Sequence, residues 1–189
     1  MANRKMKTEI AIEDYNPLWP IEFRELSSVY ASVLAGEVAA VAHVGSTAVP
    51  ELCAKPILDI DIVLSDWNRL PAVIEKLGKI GYLHEGDLGI DGREAFKLVD
   101  QALFSEVFWK QAMDHHLYVC SIDSVELKRH IAFRNHLRKY RDSAVEYGKL
   151  KRDLAERAES RNSYTAGKSA FIGMILAKEM DISSGKYIK

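Results

Sequence analysis

The sequence predicts a mixed α/β (α+β) domain: a mixed sheet with helices packed on it, followed by a helical C-terminal portion. Two patterns carry this. Up to residue 121, short apolar runs alternate with two amphipathic helical stretches. From Asp123 onward, apolar residues recur every three or four positions over three successive segments. A third observation bounds the size. The 189 residues are 48% hydrophobic, enough for one core without disulfide or metal staples. No Pro/Gly/Ser-rich linker divides the chain, so residues 1–189 read as one domain, with a sheet-containing core over 1–122 and helices over 123–189.

Taken in order, residues 18–35 suit a helix with Leu26, Val29, Tyr30, Val33 and Leu34 on one face and Gly36 as its stop. Val38–Val44 reads as a short strand and Ile57–Leu64 as a stronger one. Residues 67–77 read as a helix ending at Gly78. Tyr82–Leu83 and Ala95–Val99 suit short strands around the three-glycine loop EGDLGIDGRE. Residues 101–113 are ambiguous between strand and helix, and His116–Ser121 reads as a strand. Asp123, with Glu126 three residues on, has the spacing of a capping box. Helices are then expected over 124–140, 142–160 and 164–180.

Composition excludes several classes. Twenty-six basic against 27 acidic residues give a net charge of −1, which argues against a bulk nucleic-acid or membrane binder. Cys53 and Cys120 are the two cysteines, too few and too far apart for a disulfide framework or a CxxC metal site. The start, MANRKMKTEIAIEDYNP, has no apolar leader segment, and no run of about 18 apolar residues suggests a membrane span. The expectation is a reduced, cytoplasmic protein.

The chemistry centres on Ile57–Leu64. With a period of two, Leu58, Ile60, Ile62 and Leu64 form an apolar face, and Asp59 and Asp61 project side by side from the other, ~7 Å apart. A buried pair of like charges costs several kcal/mol unless a cation joins it, and hard oxygen donors at this spacing suit Mg²⁺ or Mn²⁺. Alternation alone would equally give a solvated edge strand. The turn His43-Val44-Gly45-Ser46-Thr47 shifts the balance. Gly45 permits a tight strand exit, and the backbone N–H groups around Ser46 and Thr47 can cradle a phosphate. Asp59 lies thirteen positions after Ser46, enough for a return strand that brings turn and carboxylates to one end of the sheet. A phosphate cradle beside metal-binding carboxylates is what nucleotidyl transfer requires.

Gly45-Ser46 followed by Asp59-x-Asp61 resembles the signature of the DNA polymerase β-like nucleotidyltransferases. The longer string HVGSTAVPELCAKPILDIDIVL (43–64) is similar to the GrpB family, as are EDYNPLWPIEF (13–23), FRNHLRKY (133–140), EYGKLKRDLA (146–155) and YTAGKSAFI (164–172). Members of that family also occur fused to dephospho-CoA kinase. The resemblance implies a nucleotidyltransferase-type fold. Transferases of this fold usually carry a third carboxylate on a later strand. Here that strand leads with His116, with Asp114 just before it, so His116 weakens a second metal site, takes the role of base, imidazole titrating near neutrality, or simply caps the strand end.

Cations add to the constellation. Arg134, Lys151 and Lys168 each share a stripe with core residues of their helix, where snorkelling stems or an inward phosphate-binding cluster are the alternatives. Lys55 lies four residues before Asp59. Arg93, in the glycine loop, could close over a ligand or simply be solvated. Gly167-Lys168-Ser169 mimics the end of a P-loop, but the position of its first glycine is Asn162 and a helical segment precedes it. The expected activity is Mg²⁺-dependent transfer of a nucleoside monophosphate from an NTP to an acceptor; the alternative is a non-catalytic module for a nucleotide or CoA-like phosphorylated ligand.

Overall fold

A computed structural model describes residues 10–181 and 186–187. The chain order is α1 (Trp19–Val33), β1 (Ala40–Val44), β2 (Leu58–Leu64), α2 (Leu70–Lys79), β3 (Tyr82–Gly86), β4 (Arg93–Leu98), α3 (Gln101–Val107), β5 (His115–Ser121), α4 (Val125–Lys139), α5 (Arg141–Arg157), α6 (Arg161–Gly167) and α7 (Ser169–Glu179). Two-residue strands β6 (Met180–Asp181) and β7 (Lys186–Tyr187) pair with each other. The main sheet has the order β1-β2-β5-β4-β3. β2 and β5 run parallel, and the other neighbours antiparallel.

The predicted period of two on β2 holds. Leu58, Ile60, Ile62 and Leu64 are fully buried against α1 and α2, together with Leu26, Tyr30, Val73 and Leu77. Each such side chain contributes about 1.5–3 kcal/mol on leaving water. α1 begins with Pro20 in its first turn, where no backbone donor is lost. The opposite face of the sheet is covered from the C-terminal side. Leu127 of α4 packs on Val63 and Cys120, and Val49 and Leu52, from the segment between β1 and β2, enter a cluster with Leu137, Tyr147 and Ile175. That segment is thereby clamped between sheet and helices.

Several boundaries differ from the sequence reading. β3 extends to Gly86 and β4 starts at Arg93, so the strands take up both ends of the expected loop, and Arg93 is a strand residue. The ambiguous stretch 101–113 yields the seven-residue helix α3, capped by Asp100 through Ala102 and Leu103 N–H. Ser124, not Asp123, caps α4, its hydroxyl accepting from Leu127 N–H. The helix expected over 164–180 breaks at Lys168, giving α6 from Arg161 and α7 from Ser169.

Candidate functional site

The register of the sheet brings three features to one end. Val44 of β1 stands opposite Asp59, and Asp59 stands opposite His116 of β5. Gly45 follows at once with φ +68° and ψ −168°, a combination open almost exclusively to glycine. A Cβ there would lie 2.8 Å from Asp59 Cγ and closer still to Oδ2. The glycine therefore serves two purposes: it turns the strand and lets the backbone pass directly over the carboxylate.

Asp59 opens into a cleft of about 560 Å³, lined also by Ser46, Lys55, His116, Lys151, Arg161 and Lys168. Lys55 Nζ and Lys168 Nζ lie 4.4 and 4.6 Å from the centroid of the Tyr164 ring. The Lys151 ammonium donates to Cys53 O and sits 4.9 Å from the Tyr147 ring centroid. Lys151 is 2% exposed. Burial, with Lys168 adding repulsion, holds it at about 8 against a partial counterweight from Cys53. Burial also lowers Lys168 and Lys55, each further lowered by a neighbouring cation. Burial raises Asp59, opposed by His116 and His130 and reinforced by Asp61. Burial and mutual repulsion thus both disfavour the charged form of these cations, and a bound anion would relieve that.

Asp61 differs from Asp59 although both sit on one face of β2. It is fully buried, does not line the cleft, and its Oδ2 accepts from His130 Nδ1 at 2.8 Å. His130 Nε2 lies 3.3 Å from Glu126 Oε1. Burial alone would lower the imidazole, but the hydrogen bonds to Asp61 and Glu126 override it and raise it to about 10. The protein thus supplies a cationic partner for one oxygen of the buried carboxylate. His130 was not among the sequence candidates. It lies three residues after Leu127 and four before Arg134, on the same inward stripe that singled out Arg134.

The remaining candidates divide. Ser46, Lys55, Lys151 and Lys168 line the cleft with Asp59 and His116. Thr47 is buried, its hydroxyl 3.0 Å from His43 Nε2. Arg134 does not line the cleft: its Nη1 donates to His43 O at 2.8 Å and its Nε to Asn135 Oδ1, so it braces β1. Arg93 is no solvated loop cation. It is 8% exposed, with its guanidinium carbon 4.3 Å from the Tyr118 ring centroid. The place across from Asp61 is held by Tyr118 and that across from Asp59 by His116, so no third carboxylate faces the pair from β5.

A metal can be tested against this donor set. Asp61 Oδ1 is buried without a hydrogen-bond partner, an orphan that a cation would satisfy. Asp59 offers a second carboxylate. Among the described residues no group of three His, Cys, Asp or Glu converges at ligating range. The arrangement fits one hard cation completed by phosphate and water oxygens, as Mg²⁺ accepts, and does not fit a two-metal centre.

Among the described residues no helix is long and apolar enough to cross a membrane. The family model described as GrpB protein matches residues 9–178. The UPF0157 protein YqkA of Bacillus subtilis is 31% identical over 169 residues, which cover 89% of this chain and 46% of YqkA; the chain thus spans less than half the length of that relative. The glutamate-rich protein GrpB of Alkalihalophilus pseudofirmus is 29% identical, over 90% of this chain and 95% of its own length. The crystal structure of conserved protein GrpB from Enterococcus faecalis superposes with a TM-score of 0.75 at 31% identity, covering 89% of this chain and 96% of that one. The structure of Cid1 in complex with its short product ApU reaches a TM-score of 0.51 at 11% identity, covering 94% of this chain and 54% of that one, a likeness of fold alone. On the extent of the family match, the chain belongs to the GrpB family.

Proposed function

We propose that the chain binds a nucleoside triphosphate in the cleft and transfers its nucleoside monophosphate to an acceptor. One observation carries the reading: Asp59 and a cluster of cations, Lys55, Lys151, Arg161 and Lys168, line a single cleft beside the Gly45-Ser46 turn. The fold likeness to Cid1, solved with its product ApU, supports it. Lys55 and Lys168 would hold the phosphates as point charges, and the Ser46 turn would approach them through its backbone. The acceptor's hydroxyl or amine would displace pyrophosphate from the α-phosphorus while His116, at the cleft wall, takes its proton. Asp59 and the free oxygen of Asp61 would hold one Mg²⁺, which supplies charge neutralisation at the phosphates. Free, buried Cys53 and Cys120 suit a reducing cytoplasm.

A second reading, binding without turnover, is favoured by the His130–Asp61 pair and by His116 and Tyr118, rather than a carboxylate, standing opposite Asp59 and Asp61 on β5. Thermal shift with ATP, GTP, CTP and UTP, with and without Mg²⁺, tests binding; no shift with any nucleotide removes both readings. Consumption of labelled NTP across an acceptor panel, lost in Asp59→Asn, supports transfer. Binding without consumption leaves the binding module.

A further inference from the structure

We propose that a second cavity, on the other side of His116, is a nucleoside subsite, so that the ligand's base and sugar lie there while its phosphates lie in the cationic cleft. The inference rests on the reading of that cleft as a nucleotide phosphate site. The second cavity, of about 440 Å³, shares Ile57, Asp114 and His116 with the cleft. The two form one trough across the end of the sheet, and the exposed His116 stands where they meet.

Charge orients a ligand along this trough. The cleft carries Lys55, Lys151, Arg161 and Lys168 against Asp59 and Asp114. The second cavity carries Glu85 and Asp114 against Lys97. A polyanion is drawn to the first and repelled by the second, leaving the uncharged end of the ligand for the second. The linings agree. In the cleft, the Tyr164 ring is engaged by the Lys55 and Lys168 ammonium groups and is not free to stack on a base. In the second cavity, Met113, Leu98 and Phe96 offer apolar surface, and the Gln101 amide offers both a donor and an acceptor. Carboxylates of Glu85 and Asp114 accept from base N–H groups.

The floor is preorganised. His115 Nδ1–H donates to Met113 O at 2.7 Å, so its Nε2 accepts from the Tyr82 hydroxyl at 2.5 Å; the buried Tyr30 hydroxyl lies 2.6 Å from that of Tyr82. This chain fixes residues 113–116 to the core, and a rigid wall lowers the cost of ordering a ligand.

Photolabelling with 8-azido-ATP, mapped by peptide mass spectrometry, tests the placement. The label is expected on peptides covering 96–101 or 113–116. Gln101→Trp, at an exposed position, should fill the cavity and raise the Kd for ATP about tenfold or more while leaving inorganic tripolyphosphate unchanged. Label on residues 161–168, or a variant that affects ATP and tripolyphosphate alike or neither, overturns the subsite but leaves the phosphate site standing. If neither ATP nor tripolyphosphate binds, the phosphate site itself falls, and this inference with it.

Discussion

At the scale of single residues, Gly45 and Asp59 depend on each other. The strand-to-turn backbone occupies a glycine-only conformation directly above the carboxylate, so Gly45→Ala faces both backbone strain and a clash with Asp59. A loss of roughly 2–5 kcal/mol is expected, read as a lowered urea midpoint, together with loss of tripolyphosphate binding; an unchanged midpoint would show that the turn is not strained. His43 gives a pH signature. Its ring is 5% exposed, stacks on Phe23 with centroids 4.6 Å apart, and is lowered by burial and then by Arg138 and Arg134 to about 4. The unfolded chain, with histidine near 6.5, binds the proton first. The contribution of neutral His43 is therefore complete above about pH 6.5 and is lost as pH falls toward 4. The stability difference between wild type and His43→Gln should shrink by about 2–3 kcal/mol between pH 7 and pH 4.5. A difference independent of pH would refute the assignment. Residue by residue, the sequence exposed Asp59, Gly45, Ser46 and the cleft lysines, because alternation and helical stripes report which way a side chain points. It did not reveal that one carboxylate oxygen of Asp61 is taken by His130. That depends on where α4 lands on β2, a contact 69 residues apart that no local pattern encodes.

At the scale of elements, the C-terminal helices build the cationic wall. α5 delivers Lys151 from its buried face, and the break between α6 and α7 turns Lys168 into the same cleft. The break was hidden in the sequence because residues on both sides of Gly167 keep helical spacing. α6 approaches α5 closely at this glycine: a Cβ at position 167 would come 2.5 Å from Leu154 Cδ2, so the leucine side chain would have to shift. Strands β1, β2 and β5 were legible because burial on at least one face imposes continuous or alternating apolar residues. The β3–β4 hairpin was half-legible, since its glycines and charges resemble a loop and the edge strand needs little apolar surface. The wall itself can be probed through Lys151. Replacing a buried ammonium by an apolar side chain of similar length is often nearly neutral, whereas truncation leaves a cavity. Lys151→Met should keep the thermal midpoint within a few degrees yet weaken tripolyphosphate binding about tenfold. Lys151→Ala should in addition cost about 2–4 kcal/mol. If Lys151→Met binds tripolyphosphate as tightly as wild type, the buried lysine serves packing alone.

At the scale of the whole molecule, the sheet and the helical portion depend on each other for burial. The apolar face of β2 packs on α1 and α2, but its other face places a buried Asp61, Val63 and, on β5, Cys120 under α4. Stripping residues 123–189 away would expose that face and leave Asp61 without His130. The segment between β1 and β2 adds a second tie, because Val49 and Leu52 pack into the cluster of α4, α5 and α7, and Arg138 Nε donates to Ala48 O at 2.8 Å. One cooperative unit should follow from these shared contacts. The chain provides its own probes. Trp19, Trp67 and Trp109, the three tryptophans, all lie in the first two-thirds, with Trp19 buried in the sheet-side core, whereas far-UV circular dichroism is weighted toward α4, α5 and α7. Tryptophan fluorescence and circular dichroism should therefore give coincident urea transitions, and, on the proposed reading of the cleft, saturating tripolyphosphate should move both by the same amount, since the cleft is lined from both portions. Separate transitions, with the ligand shifting one alone, would mean that the cleft belongs to one portion and that the helices dock on an independently folded sheet.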